Sequence, residues 1–330
     1  MRTTAVIPLL QEATVETFDE EGYLWFNRDV AALGEAHTDD SLGRQHFEIF
    51  GRLEHRYQLL TQCLDQVAKV RDTKLALLHE RSPGSGGRLE AATTTFCGHK
   101  AELMKVVGDD RLPVPYDLIS YNVYDPDLDA VFEENSTSLF LDMGAGLRRE
   151  YRSNVVNAEI AMLPSTDILC FGDAMPFDDD TFDGVACLAV LEHVPEPFVV
   201  AEELVRVVKP GGRVVVDWPF LQPVHGYPDH YFNATEQGAR LAFEKLRDVD
   251  HVDSWVTPCL HPVFALRWFL DEWRNRLPEE ERQCFMDLSV ADILSQSELS
   301  LGDEPWARAL SAKRQPTISA GTRLYVTKKS

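Results

Sequence analysis

Between Ile49 and Val67 the apolar positions Ile49, Leu53, Tyr57, Leu60, Leu64 and Val67 recur at steps of three and four, which keeps them on one side of a helix. The spacing predicts a helix within Ser41–Arg81, ended by RSPGSGG (Arg81–Gly87), where proline and small residues cannot continue it. Such a face usually packs on its own domain, and a homodimer formed through this N-terminal helix is its other use. From Leu112 to Asn135 the chain reads as a mostly irregular connection. After residue 136 the pattern changes to short apolar runs. SLFLDMGAG (Ser138–Gly146), VVNAEI (Val155–Ile160), DILCFGDA (Asp167–Ala174) and FDGVACLAV (Phe182–Val190) predict four strands. A helix from Pro197 to Val208, stopped by Pro210, Gly211 and Gly212, leads into a fifth strand, GRVVVDWPF. Strands alternating with helical stretches predict an α/β fold, a doubly wound parallel sheet covered on both faces. His261–Leu277 reads as a buried or lid helix with Phe264, Trp268 and Leu277 among its bulky residues, and Ala320–Lys329 as the last strand. The expected organisation is a mostly helical N-terminal extension over 1–136 that helps enclose a substrate, then a sheet domain over 137–330 with a helical lid at about 250–317.

Composition narrows the class of partner. With 32 Lys and Arg against 54 Asp and Glu, the formal charge is −22, a field that repels nucleic-acid phosphates and anionic lipid surfaces. No nucleic-acid or membrane partner is therefore expected, and no run approaches the ~20 apolar residues of a membrane span. The six cysteines lie far apart without C-x-x-C spacing, which suits reduced thiols in a cytoplasmic protein and gives no metal site.

Three short motifs bear on chemistry. In LDMGAG, Asp142 ends a strand and Gly144-Ala145-Gly146 forms a turn without bulky side chains, which lets a ligand approach the backbone. Glu159 closes the next strand 17 residues after Asp142, the place from which an acid accepts hydrogen bonds from ribose hydroxyls in nucleotide-type folds. Asp173 and Ala174 follow the third strand in GDAMPFDDDTFD, whose Asp178–Asp180 run reads as a solvated turn.

The stretch from GDAMPFDDDTFD through VLEHV and RVVKPGG to VVVDWPF resembles the middle of class I S-adenosylmethionine-dependent methyltransferases of the small-molecule branch, over about Ser138–Glu244. The resemblance implies a Rossmann-like methyltransferase sheet with S-adenosylmethionine as cofactor. It implies that Gly144, Ala145 and Gly146 meet the methionyl end, Glu159 the ribose, and Asp173 with the backbone of Ala174 the adenine amino group. Asp142 is counted with this set. One departure is plain: only eight residues separate Gly146 from Val155, too few for a crossover helix of ~12 residues with its turns. Arg148, Arg149 and Tyr151 are the groups this short loop offers for the methionine tail.

The loop PFLQPVHGYPDHYFNATEQG (Pro219–Gly238) follows the fifth strand and should lie over the pocket, since ligands in open α/β sheets sit beyond the strands' carboxyl ends. It resembles a stretch of the same branch, with Asn233 where arginine is common, and Thr235 or Asn233 placed to cap a following helix. His225 or His230 is a candidate base for a hydroxyl or amine acceptor, with Asp229 beside them. Either imidazole could equally hold the loop. A divalent ion on His225, Asp229 and His230 is a third use, disfavoured because Pro228 prevents a regular helix from presenting them together. For LEHV the resemblance implies that Glu192 and His193 belong to a helix start beneath the pocket.

The leading expectation is methyl transfer from S-adenosylmethionine to an oxygen or nitrogen of a small molecule, a natural-product or sugar-derived intermediate, with histidine assistance. One rival keeps the fold but performs metal-assisted or acid-base chemistry such as hydrolysis or cyclisation. Another is a non-catalytic binding subunit that docks through the Ile49–Val67 stripe.

Overall fold

The computed structural model describes residues 4–34, 42–85, 121–134, 137–226, 229–257, 260–311 and 315–318. Its centre is a five-stranded parallel sheet built from β1 (Phe140–Met143), β2 (Val155–Glu159), β3 (Ile168–Leu169), β4 (Phe182–Leu188) and β5 (Val208–Asp217). The spatial order is β5-β4-β1-β2-β3, with every neighbouring pair parallel. The order reverses between β1 and β4, which opens a crevice at their carboxyl ends, the place where doubly wound sheets bind ligands. The four apolar runs and GRVVVDWPF thus all contribute strands, as the alternation predicts. The third is only two residues long, because the chain turns at Phe171 before reaching Asp173.

Alternate residues of each strand face opposite layers, as the two-residue period of a strand requires. Leu141, Met143, Val156, Ala158, Val185 and Cys187 pack on one side against Leu75 and Leu78 of helix α1 (Leu64–Arg81) and Val200, Leu204 and Val207 of a later helix, Pro197–Val207. Phe140, Val155 and Ala186 face the other side, onto Leu128 and Phe132 of α2 (Pro126–Glu134). The later helix, α3, sits between β4 and β5 where its pattern predicts it.

The short connection between β1 and β2 holds no helix. Leu147–Arg148 pairs in parallel with Tyr121–Asn122, and Glu150–Arg152 pairs antiparallel with Val6–Pro8. The N-terminal region supplies α1, which lies on the same sheet face as α3, over β1 and β2, while α2 covers the opposite face. Lys74 of α1 donates to the Val155 carbonyl at 2.5 Å and to Asp167 at 2.7 Å, and Arg71 donates to the Pro164 carbonyl at 2.7 Å. The extension is therefore part of the sheet's packing, which gives it a physical reason to exist.

Three expectations need correction. The Ile49–Val67 stripe is not one helix. Leu42–His46 is helical and Phe47–Gly51 forms a wider π turn; His55 reverses the chain at φ 52°, Tyr57–Leu59 is a strand paired with Leu10–Glu12, and α1 starts only at Leu64. Strand pairing overrides the helical period here, and Ile49 and Leu53 are 60% and 82% exposed while Leu60 and Val67 are buried. The binding-subunit reading and the dimer face lose their single helix. The second correction is that the connection Leu112–Asn135 carries a helix over Pro126–Glu134, started by the Asp125 carboxylate on the Asp127 and Leu128 N–H groups. The third concerns only the buried alternative for His261–Leu277: the helix is there as α5 (Pro262–Arg276), but it has no buried residue of its own, and its Phe269 and Trp273 join Leu277, Phe285, Trp306, Leu310 and Ile318 in a separate small core. The strand predicted at Ala320–Lys329 lies outside the described residues. Thr235 caps α4 (Glu236–Glu244) by accepting from the Gly238 N–H, one of the two caps anticipated.

Asp183 in β4 fastens the opposite, amino end of the sheet. It accepts from Arg81 at 2.5 Å, from the Leu139 N–H at 2.7 Å and from Lys209 at 2.8 Å. Burial alone would raise its pKa, but the bonds from Lys209, Arg81 and Leu139 outweigh this and hold it at about 2. A carboxylate whose folded pKa is depressed stabilises the fold above its ordinary pKa and loses that contribution as pH falls through the folded value. Between about pH 4 and pH 2 the protein should lose about 1 kcal/mol through this residue, after discounting for solvent screening. Urea midpoints across that range should fall less in Asp183→Asn than in the unaltered chain; identical pH slopes would contradict this.

Candidate functional site

Gly144 and Gly146 both have positive φ, 71° and 60°, so the turn after β1 requires residues that tolerate the left-handed region. A Cβ on Gly144 would lie 2.3 Å from Val190 Cγ2, so the turn after β1 packs directly on the segment after β4, across the crevice. The backbone N–H groups of this turn point inward. Gly144 and Ala145 donate to the Ala158 carbonyl at 2.9 and 3.1 Å, and Gly146 donates to Glu159 Oε2 at 2.6 Å.

Glu159, at the end of β2, is buried and also accepts from the Ile160 N–H at 2.7 Å. Burial raises its carboxyl above the usual range, against the lowering effect of those two N–H bonds. Each oxygen accepts one N–H, so a second lone pair on each remains for hydroxyl donors. Asp173 and Ala174 lie past β3, half-buried and exposed respectively.

Asp142 is fully occupied inside the protein. Its carboxylate takes a bidentate pair from Arg148, Nε at 2.8 Å and Nη2 at 3.0 Å, and a bond from the Tyr124 hydroxyl at 2.6 Å, with the guanidinium 4.2 Å from the Tyr124 ring centre. The other groups offered for the methionine tail are turned into the scaffold as well. Tyr151 donates to Asp167 at 2.5 Å, and Arg149 stacks on the Tyr57 ring at 4.3 Å.

The loop after β5 reaches back over β4. The Tyr231 and Phe232 N–H groups bond the Glu192 carbonyl at 2.7 and 3.2 Å. This brings three imidazoles together: His225 and His230 have ring centres 4.5 Å apart, and His193, in the 3-10 turn Leu191–His193 after β4, lies 5.2 Å from the first and 5.4 Å from the second. Trp268 of α5 closes on the His225 ring at 4.6 Å. A Cβ on Gly226 would meet His193 Cε1 at 2.4 Å, so only glycine lets that ring in.

Hydrogen bonds fix the tautomer of each ring. His225 Nδ1 lies 2.8 Å from the Pro223 carbonyl and His193 Nδ1 2.8 Å from the Asp229 carbonyl. A carbonyl only accepts, so both Nδ1 atoms carry the proton and both Nε2 atoms keep a lone pair. His230 differs: its Nδ1 accepts from the His225 N–H at 3.1 Å and its Nε2 donates to Asn233 Oδ1 at 2.8 Å. Both of its nitrogens hold the loop, with Asn233 as its anchor. The Asp229 carboxylate bonds the Tyr231 hydroxyl at 3.1 Å on the exposed side. Burial lowers the pKa of His225 and of His193, offset in each case by the carbonyl on Nδ1. Burial also pushes the Glu192 carboxyl up to about 7.

The candidates His225, His230 and Asp229 are therefore neighbours, but only His225 has a ring nitrogen left for chemistry. Glu192 and His193, read from the sequence as a helix start, stand inside the cluster. The signal was available: β4 and β5 are sheet neighbours, so the residues that follow each strand must meet at the same end.

Residues 133–216 match the family model for a methyltransferase domain. An uncharacterized methyltransferase of Mycobacterium tuberculosis (strain ATCC 25618 / H37Rv) is 37% identical over 92 residues, which cover 27% of this chain and 35% of that protein. One from Mycobacterium leprae (strain TN) is 39% identical over 84 residues, 24% of this chain and 30% of that one. The chain spans about a third of the length of the curated relatives it matches. Among solved structures it is similar to Haemonchus contortus phosphoethanolamine N-methyltransferase 2 in complex with S-adenosyl-L-methionine, at 18% identity and a TM-score of 0.29 over 52% of this chain and 44% of that one. The matched segment runs from the end of α2 to β5 and so coincides with the parallel sheet. Among the described residues no helix is long and apolar enough to cross a membrane.

Proposed function

We propose that the protein transfers a methyl group from S-adenosylmethionine to an oxygen or nitrogen of a small molecule, with His225 accepting the acceptor's proton. The observation that carries the reading is that the carboxyl end of the sheet offers a buried acceptor carboxylate, Glu159 at the end of β2, and, in the loop after β5, an imidazole, His225, whose Nδ1–H is tied to a carbonyl so that Nε2 keeps its lone pair. When bound, S-adenosylmethionine supplies an electrophilic methyl group on a sulfonium.

The residues present suit that cofactor by the chemistry of their acceptors. Glu159 would take the ribose hydroxyls on its free lone pairs, and Asp173 with the Ala174 backbone would take the adenine amino group. The turn Gly144-Ala145-Gly146 would admit the methionyl end through its lack of side-chain bulk, because its N–H groups are already bonded. Asp142 would act behind the turn, holding Arg148 and Tyr124 in place. His230 and Asp229 would position the loop, and His225 Nε2 would accept the proton as the acceptor attacks. The N-terminal extension and the helices over about 250–317 would enclose the acceptor, with Trp268 against His225 as one wall. A charge of −22 favours a small-molecule acceptor over a polyanionic one.

The test is incubation of the full chain with methyl-labelled S-adenosylmethionine and a panel of sugar and natural-product alcohols and amines. Label should enter the small-molecule fraction with matching formation of S-adenosylhomocysteine, and His225→Ala should lower the rate by about 10²-fold or more. Label recovered only in nucleic acid or protein would overturn the reading.

A further inference from the structure

Glu192 has a buried side chain, yet among the described residues neither carboxylate oxygen has a hydrogen-bond partner. A buried carboxylate left in that state is costly, and among natural proteins it calls for a missing partner such as an ion. Its Oε1 lies 3.7 Å from His193 Nε2. One ligand atom from each of Glu192, His193 and His225 lies within 4.8 Å of the other two.

The tautomers point the same way. His193 and His225 each have Nδ1–H tied to a backbone carbonyl, Asp229 and Pro223, which leaves Nε2 as a lone pair. Metal-binding imidazoles are held by this kind of second hydrogen bond, which fixes ring orientation and raises basicity at the ligating nitrogen. Gly226 adds a steric requirement that serves the same arrangement, since its missing Cβ makes room for the His193 ring.

We infer that Glu192, His193 and His225 form a binding site for a divalent first-row transition ion. The inference rests on this geometry and not on the methyl-transfer reading. Two imidazoles and one carboxylate are the donor set of three-ligand zinc and non-haem iron sites, which keep at least one position open. Ligands at 2.0–2.2 Å stand about 3.3 Å apart, so the three atoms must draw together when the ion enters. The cluster is partly open to solvent through His193 and His225, and the open position is available to water or to a hydroxyl or amine of a substrate. With the ion bound, His225 Nε2 is a ligand and no longer a base, so metal content decides which part His225 plays. The ligand trio differs from His225, Asp229 and His230, because both His230 nitrogens and the Asp229 carboxylate are bonded elsewhere.

The experiment uses the full chain stripped with chelator and titrated with Co²⁺ and with Zn²⁺, followed by visible absorption and calorimetry. One equivalent should bind, with the d–d bands of a nitrogen- and oxygen-ligated site. Glu192→Gln and His225→Ala should each weaken binding by at least tenfold, while His251→Ala, which alters an exposed histidine beside Asp253, should leave it unchanged. His225 sits in a half-buried loop, so its variant carries the test if Glu192→Gln fails to fold. Absence of stoichiometric binding would overturn the inference, as would binding that survives His225→Ala. Titration of the same metal-free protein with S-adenosylhomocysteine reads the cofactor site separately, so the two proposals fail independently.

Discussion

Replacing Asp167 by alanine is expected to lower the folding free energy by about 3–5 kcal/mol, the cost of breaking a buried ion pair from one side. This fully buried carboxylate accepts from Lys74 at 2.7 Å, Tyr151 at 2.5 Å, the Asn157 N–H at 2.9 Å and Arg71 at 3.3 Å. Lys74 is wholly buried; burial lowers its pKa to about 8 even with Asp167 beside it. Without Asp167 two cations of α1 would be left facing each other in the interior. The consequence reaches beyond one contact, because α1 covers one face of the central strands through Leu75 and Leu78. Urea unfolding at pH 7 gives the measurement. Lys74→Met should cost less than Asp167→Ala, since it removes a charge and leaves Asp167 with its other three donors. A cost below about 1 kcal/mol for Asp167→Ala would show that the N-terminal helix does not depend on this cluster.

How far the sequence foretold these features depends on the range of the interaction. The strands were legible because each apolar run is bounded by breakers, and α3 because Pro210, Gly211 and Gly212 stop it. The missing crossover helix was legible by length alone. The docking of α1 on the sheet was not, because Lys74 and Asp167 are 93 residues apart and nothing local marks a lysine as buried. The Ile49–Val67 stripe misled for a related reason: helical spacing persists through a segment whose backbone pairs with Leu10–Glu12 instead. At the site, the density of His225, Asp229 and His230 drew attention to the right loop. The division of labour among them depends on which carbonyl meets which ring nitrogen. Asn233, read as a departure from arginine and as one of two candidate caps, holds His230 instead. His193 and Glu192 were passed over because their own neighbourhood, LEHV, reads as a helix start, whereas strand order brings them to the histidine loop.

The central claim is that the crevice between β1 and β4 binds S-adenosylmethionine through Glu159. Two hydrogen bonds to a charged carboxylate are worth about 1.5–3 kcal/mol each, so their loss should weaken binding by at least about 10²-fold. Because Glu159 also accepts from the Gly146 and Ile160 N–H groups, alanine could loosen the turn as well as remove the acceptors. Asp173→Ala supplies an independent arm, since the bonds of the glycine turn run to Ala158 and Glu159 and not to Asp173. The direct measurement is calorimetric titration of the metal-stripped full chain with S-adenosylhomocysteine, beside Glu159→Ala and Asp173→Ala. The account predicts saturable one-to-one binding that falls by at least about 10²-fold in the first variant and by a smaller factor in the second. An unaltered chain that does not bind, or a Glu159→Ala chain that binds equally well, would contradict it.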